Sequence, residues 1–414
     1  MRIVFESAAL LLKSVRSFSY PLDLRLSDFF KTRRLNQRER AFVAELIYTA
    51  VRHWRLIEWL VGKPTKDEAV LKIAAFLMGE FSAVSSFLSD EEKRFFESFS
   101  WDFYKESVPP AVFYSFPDFL FDALKKRFGD KAFEVAALMN EAAPLDLRIN
   151  PLKTKRCEVL NAFADSCPTP FSPLGVRLKK KIPLSKNPLF LEGKIEVQDE
   201  GSQLVALLAD AKRRQMVFDF CAGAGGKTLV LGALMKNTGT LYAADTSEKR
   251  LSKFSARFKK SGLSNVHFLR LESENDARLK RFKNRFDRVL LDVPCSGSGT
   301  LRRNPDLKWR FNLEKLADLQ KTQLAILQSA ARLVKEGGIL LYATCSFLFE
   351  ENESAIAEFL NQNPNFARLN LQSTAQNLQL NLPAAMFTEN GDFFSSPLFS
   401  TDAFFAVALQ KNPR

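Results

Sequence analysis

The segment MVFDFCAGAGGKT, residues 216–228, decides the fold class of this chain. Its apolar beginning, Met216–Phe220, has the length and composition of a buried strand. The glycines that follow suit a tight turn at which backbone approaches a ligand closely, and a helical pattern begins directly after them. A strand, a glycine-rich turn and a helix in this order are typical of the first βα unit of an open α/β sheet.

The chain from about residue 201 onward repeats this alternation. Amphipathic helical stretches such as Ser247–Ser261 and Leu313–Val334 separate the apolar runs. We therefore predict an α/β fold with a doubly wound, mainly parallel sheet and helices on both faces. The predicted strands are Met216–Phe220, Thr240–Ala244, His267–Leu271, Arg288–Leu291, Ile339–Ala343 and Phe404–Leu409.

The loop Asp219–Thr228 fits neither of two common nucleotide-binding templates. A P-loop requires glycine where Cys221 stands, and a dinucleotide fingerprint requires glycine where Thr228 stands. Asp245 ends the next predicted strand, where a carboxylate can accept hydrogen bonds from ribose hydroxyls. The loop and this carboxylate predict an adenosine-type cofactor without a diphosphate. S-adenosylmethionine is the first candidate, and NAD is the competitor.

Two cysteines follow predicted strands nearer the C-terminus. Cys295 stands in LDVPCSG, residues 291–297, and Cys345 stands in YATCS, residues 342–346. Open α/β sheets place their active sites at strand carboxyl ends, so we expect both thiols and Asp292 beside the cofactor loop. A thiolate that adds to C6 of a cytosine makes C5 nucleophilic, and a carboxyl group can stabilise the charge that develops. The alternative for a single cysteine is an inert, buried residue.

Composition narrows the class of function. The chain has 414 residues and a formal charge of +13, which favours an anionic partner such as nucleic acid; a merely soluble basic surface is the alternative. It has no apolar run of about 18 residues, so we expect no membrane span. Its five cysteines are scattered and it has two histidines. We therefore expect a reduced, cytoplasmic setting and no metal site.

Basic residues are concentrated before the α/β part. Residues 1 to about 130 look helical, and arginines cluster around a predicted helix over Ala41–Leu60. Between residues 148 and 186, nine Lys and Arg stand against two acids. Each cluster predicts either an RNA-facing surface or a solvated face without a partner. The residues are Arg33, Arg34, Arg38, Arg40, Arg52 and Arg55 in the first cluster, and Arg148, Lys153, Lys155, Arg156, Arg177, Lys179, Lys180, Lys181 and Lys186 in the second.

Several segments together resemble the Sun/Fmu family of RNA cytosine-5 methyltransferases. The run from Ala41 to Arg52 is also similar to the NusB-like RNA-binding domain that precedes this core in bacterial members acting on ribosomal RNA. The segments that carry the core resemblance are TCS (344–346), DVPCS (292–296), the loop 221–228, VQDEGSQ (197–203), RNPDLKW (303–309), EEN (350–352) and PLDLRIN (144–150).

The resemblance implies three domains. They are an all-α NusB-like RNA-binding domain (1–130), a small basic α+β RNA-binding subdomain (131–200) and a Rossmann-like S-adenosylmethionine-dependent methyltransferase domain (201–414). The implied activity is methyl transfer to C5 of a cytidine in 16S ribosomal RNA by a monomer, with the target base single-stranded or flipped. The same chemistry on transfer RNA and a non-catalytic RNA-binding assembly factor are the alternatives.

The resemblance also implies roles for single residues. Cys345 corresponds to the nucleophile that attacks C6, Cys295 to a second cysteine that helps to release the product, and Asp292 to a carboxylate near base and cofactor. Glu272 matches an acidic residue near the adenine only after a one-residue shift. The implied cofactor-binding residues are Cys221, Ala222, Gly223, Ala224, Gly225, Gly226, Lys227, Asp245, Arg250, Glu272 and Asp292.

Overall fold

The computed structural model describes residues 2–62, 65–180 and 182–413. Lys181, one of the basic residues counted above, lies outside the described residues. The chain divides into two compact units, one of Met1–Ala142 with Thr300–Asn312 and the other of Ala143–Gly299 with Leu313–Arg414. The division into three domains stays a prediction. None of the described helices is long and apolar enough to cross a membrane.

The first unit is built of helices, and those between Arg2 and Glu97 share one apolar core. The predicted helix over Ala41–Leu60 is in fact two helices, because the backbone leaves the helical conformation at His53 (φ −108°, ψ 23°). Capping boxes at Asn36 and Ser89 fix the start of two helices. The helices are α1 (Arg2–Val15), α2 (Leu22–Lys31), α3 (Gln37–Arg52), α4 (Trp54–Val61), α5 (Asp67–Leu77), α6 (Phe81–Val84), α7 (Asp90–Glu97), α8 (Trp101–Ser107), α9 (Pro110–Phe113), α10 (Asp118–Phe128) and α11 (Ala132–Met139).

Residues Thr300–Asn312 come late in the sequence but belong to this helical unit. The ammonium group of Lys308 is buried there and donates to the backbone oxygens of Arg52 (3.1 Å) and Ser115 (3.0 Å) and to Oδ1 of Asn140 (2.5 Å). Burial lowers the pKa of Lys308 well below its ordinary value. Since all three donors have acceptors, this one side chain ties the late segment to helices far away in sequence.

The second unit begins with a small antiparallel sheet. The order of its strands is β2-β3-β1-β4, and its apolar residues form a core of their own. The elements are β1 (Leu145–Ile149), α12 (Arg156–Ala162), β2 (Ser166–Pro168), β3 (Gly175–Leu178), α13 (Pro188–Leu191) and β4 (Ile195–Val197).

Two arginines of the second basic cluster serve this sheet and do not face a partner. Arg148 is 3% exposed and donates to Oε1 of Gln198 and to the backbone oxygen of Gly226, both at 2.6 Å. Arg177 donates to both carboxylate oxygens of Asp146, at 2.7 and 2.8 Å. The expectation that the whole cluster forms an RNA-facing surface was therefore wrong for these two residues, because interior acceptors take up their guanidinium groups.

The large sheet confirms the predicted doubly wound, mainly parallel architecture. Within residues 182–413, all of which are described, it has eight strands in the order β10-β12-β9-β8-β5-β6-β7, with β11 beside β12. Strands β5 to β9 run parallel, and β12 pairs antiparallel with β9, β10 and β11. The elements are α14 (Glu200–Leu208), β5 (Met216–Asp219), α15 (Gly226–Leu234), β6 (Thr240–Asp245), α16 (Glu248–Ser261), β7 (Val266–Arg270), β8 (Phe286–Asp292), α17 (Leu307–Arg310, in the helical unit), α18 (Leu313–Ala331), β9 (Val334–Thr344), α19 (Glu353–Gln362), β10 (Phe366–Leu369), α20 (Leu371–Asn377), β11 (Phe393–Phe394) and β12 (Phe405–Lys411).

All six predicted strands are present within a few residues of their expected bounds. Apolar side chains pack on both faces of the sheet, since Val217 and Phe218 enter opposite cores as the alternation of a strand requires. The predicted helix Leu313–Val334 ends at Ala331, because Val334 already pairs with Phe286 as the first residue of β9.

Candidate active site

A cleft of about 920 Å³ lies at the carboxyl ends of β5, β6 and β8. This is the edge at which open α/β sheets bind ligands. Nearly all of the predicted site residues line it, although they come from five separate stretches of sequence. Those that line it are Cys221, Ala222, Gly223, Ala224, Gly226, Lys227, Asp245, Arg250, Glu272, Asp292, Cys295 and Cys345.

Gly225 is the predicted cofactor residue that does not line the cleft. It directly precedes α15 with φ +81°, and a Cβ atom built on it would lie 2.0 Å from the ring of Phe254. A side chain fits neither this backbone conformation nor this space. In the structure Gly225 therefore lets the loop pack against α16.

Two aspartates, Asp219 at the end of β5 and Asp245 at the end of β6, line the cleft with carboxyl groups. Asp245 accepts hydrogen bonds from the backbone N–H groups of Gly223 (2.9 Å) and Ser247 (2.7 Å). Asp219 accepts from the hydroxyl of Thr228 at 2.6 Å, but its buried Oδ1 has no partner among the described residues. Burial raises the pKa of Asp219 to about 7. Asp219 had no predicted role, although an acid that ends an apolar strand is a signal for one.

An ion pair connects the cofactor loop to the loop after β8. Nζ of Lys227 lies 2.6 Å from Oδ2 of Asp292, and the Lys227 side chain is only 8% exposed. A charge-assisted contact of this length between two largely enclosed groups fixes both side chains. The pair places a carboxylate and an ammonium group between the glycine-rich loop and the cysteines.

The two cysteines lie next to each other. Their sulfur atoms are 3.2 Å apart, and the backbone N–H of Cys345 points to the sulfur of Cys295 at 3.3 Å. The strands before them are parallel neighbours, with Asp292 opposite Ala343. The hydrogen bond with Cys345 and burial raise the pKa of the Cys295 thiol well above its ordinary value. Cys295 is therefore protonated at neutral pH and can donate to the other sulfur.

Basic side chains of helix α16 form one wall of the cleft, and only Arg250 among them was predicted as a site residue. Arg250, Lys253 and Arg257 line the cleft, and their spacing of three and four residues places them on one helix face. Arg257 donates to the backbone oxygen of Ala224 at 2.6 Å and pairs with Glu196 at 3.0 Å. The helical period was the signal that would have added Lys253 and Arg257 to the predicted Arg250.

The described residues contain no group of three or more His, Cys, Asp or Glu side chains placed to hold a metal ion. All five cysteines are free thiols. The polar groups of the cleft include carboxylates, basic side chains, thiols, hydroxyls and a side-chain amide.

Two family models match the chain. The model described as 16S rRNA methyltransferase RsmB/F matches residues 206–410, and the model described as the RsmF/B-like ferredoxin-like domain matches residues 116–185. The first match contains the large sheet with nearly the whole cleft, and the second contains the strands β1 to β3.

Individual proteins give a consistent result. A probable ribosomal RNA small subunit methyltransferase B from Synechocystis is 39% identical over 62% of this chain, and the match spans 58% of that protein's own length. A protein of the same description from Bacillus subtilis is 26% identical over 94% of both chains. The crystal structure of PH0851 has a TM-score of 0.76 and 26% identity, covering 99% of this chain and 97% of its own.

Proposed function

Because the chain belongs to the Sun/Fmu (RsmB/F) family of 16S rRNA methyltransferases, we propose that it transfers a methyl group from S-adenosylmethionine to C5 of a cytidine in 16S ribosomal RNA. The observation that carries the proposal is the 3.2 Å separation of the Cys295 and Cys345 sulfur atoms beside a cleft that can hold the cofactor. A pair of thiols in this position suits covalent catalysis on a pyrimidine.

The cleft fits this cofactor. S-adenosylmethionine carries two positive charges, and Asp219 and Asp245 supply buried acceptors for them. Oδ1 of Asp219 has no partner among the described residues. At Gly223 a Cβ atom would meet nothing closer than 4.0 Å, so the loop backbone borders open space. When bound, the cofactor supplies an electrophilic methyl group on a sulfonium. The backbone of residues 221–227, Asp219 and Asp245 would hold it.

In the proposed reaction Cys345 acts first. Its thiolate forms a bond to C6 of the cytosine while the electrons of the C5–C6 double bond move onto the ring, where Asp292, in its ion pair with Lys227, would stabilise the charge that develops near N3. C5 can then take the methyl group. Loss of the C5 proton to a base returns the electron pair to the C5–C6 bond, and the sulfur of Cys345 leaves C6.

Cys295 is suited to the last step. It carries a proton at neutral pH and lies within hydrogen-bonding distance of the sulfur that must leave. A donor at this point stabilises the departing thiolate. We therefore assign Cys345 the nucleophilic role and Cys295 the release of product.

The RNA would contact exposed basic residues. Lys155, Lys179, Lys180 and Lys186 of the second cluster are exposed, as are Arg33, Arg34, Arg38 and Arg40 of the first. Such side chains can neutralise phosphates without reading sequence. The target cytidine must be unstacked, because C6 is shielded within a helix.

Incubation with methyl-labelled S-adenosylmethionine and either 16S rRNA or transfer RNA tests the proposal. We expect label in 5-methylcytidine of 16S rRNA, identified by nucleoside chromatography and located by bisulfite sequencing. Label on another atom would contradict the chemistry, and label confined to transfer RNA would favour that substrate. No heat of binding on titration with S-adenosylmethionine would favour a non-catalytic assembly factor.

A further inference from the structure

Glu351 lies completely buried beneath the loop that carries Cys295. Its Oε1 accepts a hydrogen bond from the backbone N–H of Ser296 at 2.7 Å, and its Oε2 accepts from the Ser296 hydroxyl at 2.5 Å. One carboxylate thus holds the residue directly after Cys295 by two donors of different kinds. Neither the family resemblance nor the cleft lining assigned Glu351 a role.

Gln323 links the same carboxylate to Pro294, the residue before Cys295. The side-chain N–H₂ of Gln323 donates to Oε1 of Glu351 and to the backbone oxygen of Pro294, both at 3.0 Å. The position of Glu351 is fixed in turn, because its backbone oxygen accepts from the buried hydroxyl of Tyr342 at 2.6 Å. Residues 294 and 296 are therefore both anchored, while the thiol between them stays free to face Cys345.

The hydrogen bonds at Glu351 require a side chain with two acceptor atoms and the length of glutamate. Burying a carboxylate is costly unless hydrogen bonds compensate it, and the carboxylate of Glu351 accepts such bonds from Ser296 and Gln323. A side chain of this length with two acceptor atoms meets the Ser296 amide and hydroxyl together. A shorter acid cannot reach both, and an apolar residue leaves both donors and Gln323 unsatisfied.

We propose that Glu351 is a positioning residue that acts through Cys295. By clamping the segment Pro294–Ser296, it keeps the Cys295 thiol within hydrogen-bonding distance of the Cys345 sulfur while that sulfur leaves the methylated base. The inference rests on the proposed function, because it requires a covalent adduct that Cys295 helps to resolve. It adds a residue to that step which never touches the RNA or the cofactor.

The test compares Cys295→Ala, Glu351→Ala and the double variant with wild-type protein, each incubated with S-adenosylmethionine and 16S rRNA. Covalent RNA–protein adduct is measured as a shifted band on a denaturing gel, together with turnover. We expect Glu351→Ala to accumulate the adduct and to lose turnover on the order of 100-fold, as a displaced catalytic group does. The double variant should accumulate no more adduct than Cys295→Ala, because both changes remove the same contribution.

Two conservative variants separate a positioning role of Glu351 from a general loss of folding. They also replace Glu351→Ala in the test if that variant is insoluble. Glu351→Gln keeps the length and two polar atoms, because the Ser296 hydroxyl can reverse and accept from the amide, so we expect turnover near that of wild type. Glu351→Asp keeps the charge but is one methylene shorter, so we expect adduct. Glu358→Gln, at an exposed position of α19, is the matched control and should behave as wild type.

The outcomes distinguish the two hypotheses. If Cys295→Ala gives no adduct, the proposed function fails. If Cys295→Ala gives adduct while Glu351→Ala and Glu351→Asp turn over normally, the role of Glu351 fails alone. An adduct with Glu351→Gln but not with Glu351→Asp would show that the charge of residue 351 matters and its side-chain length does not. That result would also overturn the positioning role of Glu351.

Discussion

The sulfur atoms of Cys295 and Cys345 lie 3.2 Å apart although 50 residues separate them in the sequence. Each cysteine follows one of two neighbouring parallel strands, β8 and β9, whose carboxyl ends meet at one edge of the sheet. A protonated thiol beside a second sulfur allows one cysteine to attack the base and the other to assist the departure of that sulfur from the methylated base. This pairing makes different predictions for the loss of each cysteine.

Cys345→Ala should abolish methyl transfer and form no adduct, because the atom that bonds to C6 is gone. Cys295→Ala should form the adduct and release it slowly. Both are measured by denaturing gel and by incorporation of labelled methyl groups, and both variants should still bind S-adenosylmethionine. Cys167→Ala, which changes an exposed cysteine, is the control. Adduct with Cys345→Ala in place of Cys295→Ala would reverse the two assignments.

Asp219 should make stability depend on pH. Burial raises its pKa from 3.8 to about 7, so between these values the folded protein holds a proton that the unfolded chain has lost. The contribution of this bound proton to the free energy of unfolding is complete below pH 3.8 and decreases as pH rises toward 7. Relative to Asp219→Asn, the unfolding free energy of wild type should fall by as much as ~4 kcal/mol over this range.

The measurement for Asp219 is urea unfolding of both proteins at a series of pH values. Asp165→Asn, which changes an exposed aspartate, is the matched control for the substitution. A constant difference between wild type and Asp219→Asn would contradict the raised pKa.

Substitution of two glycines in one loop should have different consequences. Gly225→Ala places a methyl group 2.0 Å from Phe254, so we expect a loss of stability on the order of 3 kcal/mol. Gly223→Ala meets no close atom and should cost about 1 kcal/mol through its φ of +55°. Because Gly223 lines the cleft, this variant should instead weaken S-adenosylmethionine binding.

Thermal unfolding and calorimetric titration measure both glycine effects. Phe254→Ala in the Gly225→Ala background should restore part of the lost stability, because it removes the ring that the new methyl group strikes. Equal destabilisation by the two single substitutions would show that packing against Phe254 is not the cause.

Basic residues of the small sheet should divide into two groups. Replacing exposed Lys179 and Lys180 by alanine should lower RNA affinity and reduce the salt dependence of binding by about one to two counterions, with little change in melting temperature. Arg148→Ala should lower the melting temperature, because it leaves interior acceptors without a donor. Filter binding at several salt concentrations measures the first effect.

Lys236→Ala, at an exposed position outside the basic clusters, is the control for RNA binding. If Arg148→Ala weakened RNA binding while its melting temperature stayed unchanged, the guanidinium would face RNA and its structural assignment would be wrong.

Local patterns predicted the strands and the edge at which the cleft lies. Alternating apolar runs identified six strands, and Asp245, Cys295 and Cys345 each stand at or just after the end of one. Since parallel strands bring their carboxyl ends to one edge, convergence of these residues followed from the pattern. The arginine clusters were less informative, because residue type does not reveal whether a guanidinium meets solvent, as at Arg38, or a buried acceptor, as at Arg148.

The sequence by itself determined the α/β class, the order of its strands along the chain and the chemical groups available at their ends, because hydrophobic period and turn residues are local properties. Only the tertiary structure decided the 3.2 Å contact between the two thiols, the attachment of Lys308 to the helical unit, the packing role of Gly225 and the clamp from Glu351. Each of these is a contact between residues distant in the chain, and its distance depends on how the intervening elements pack.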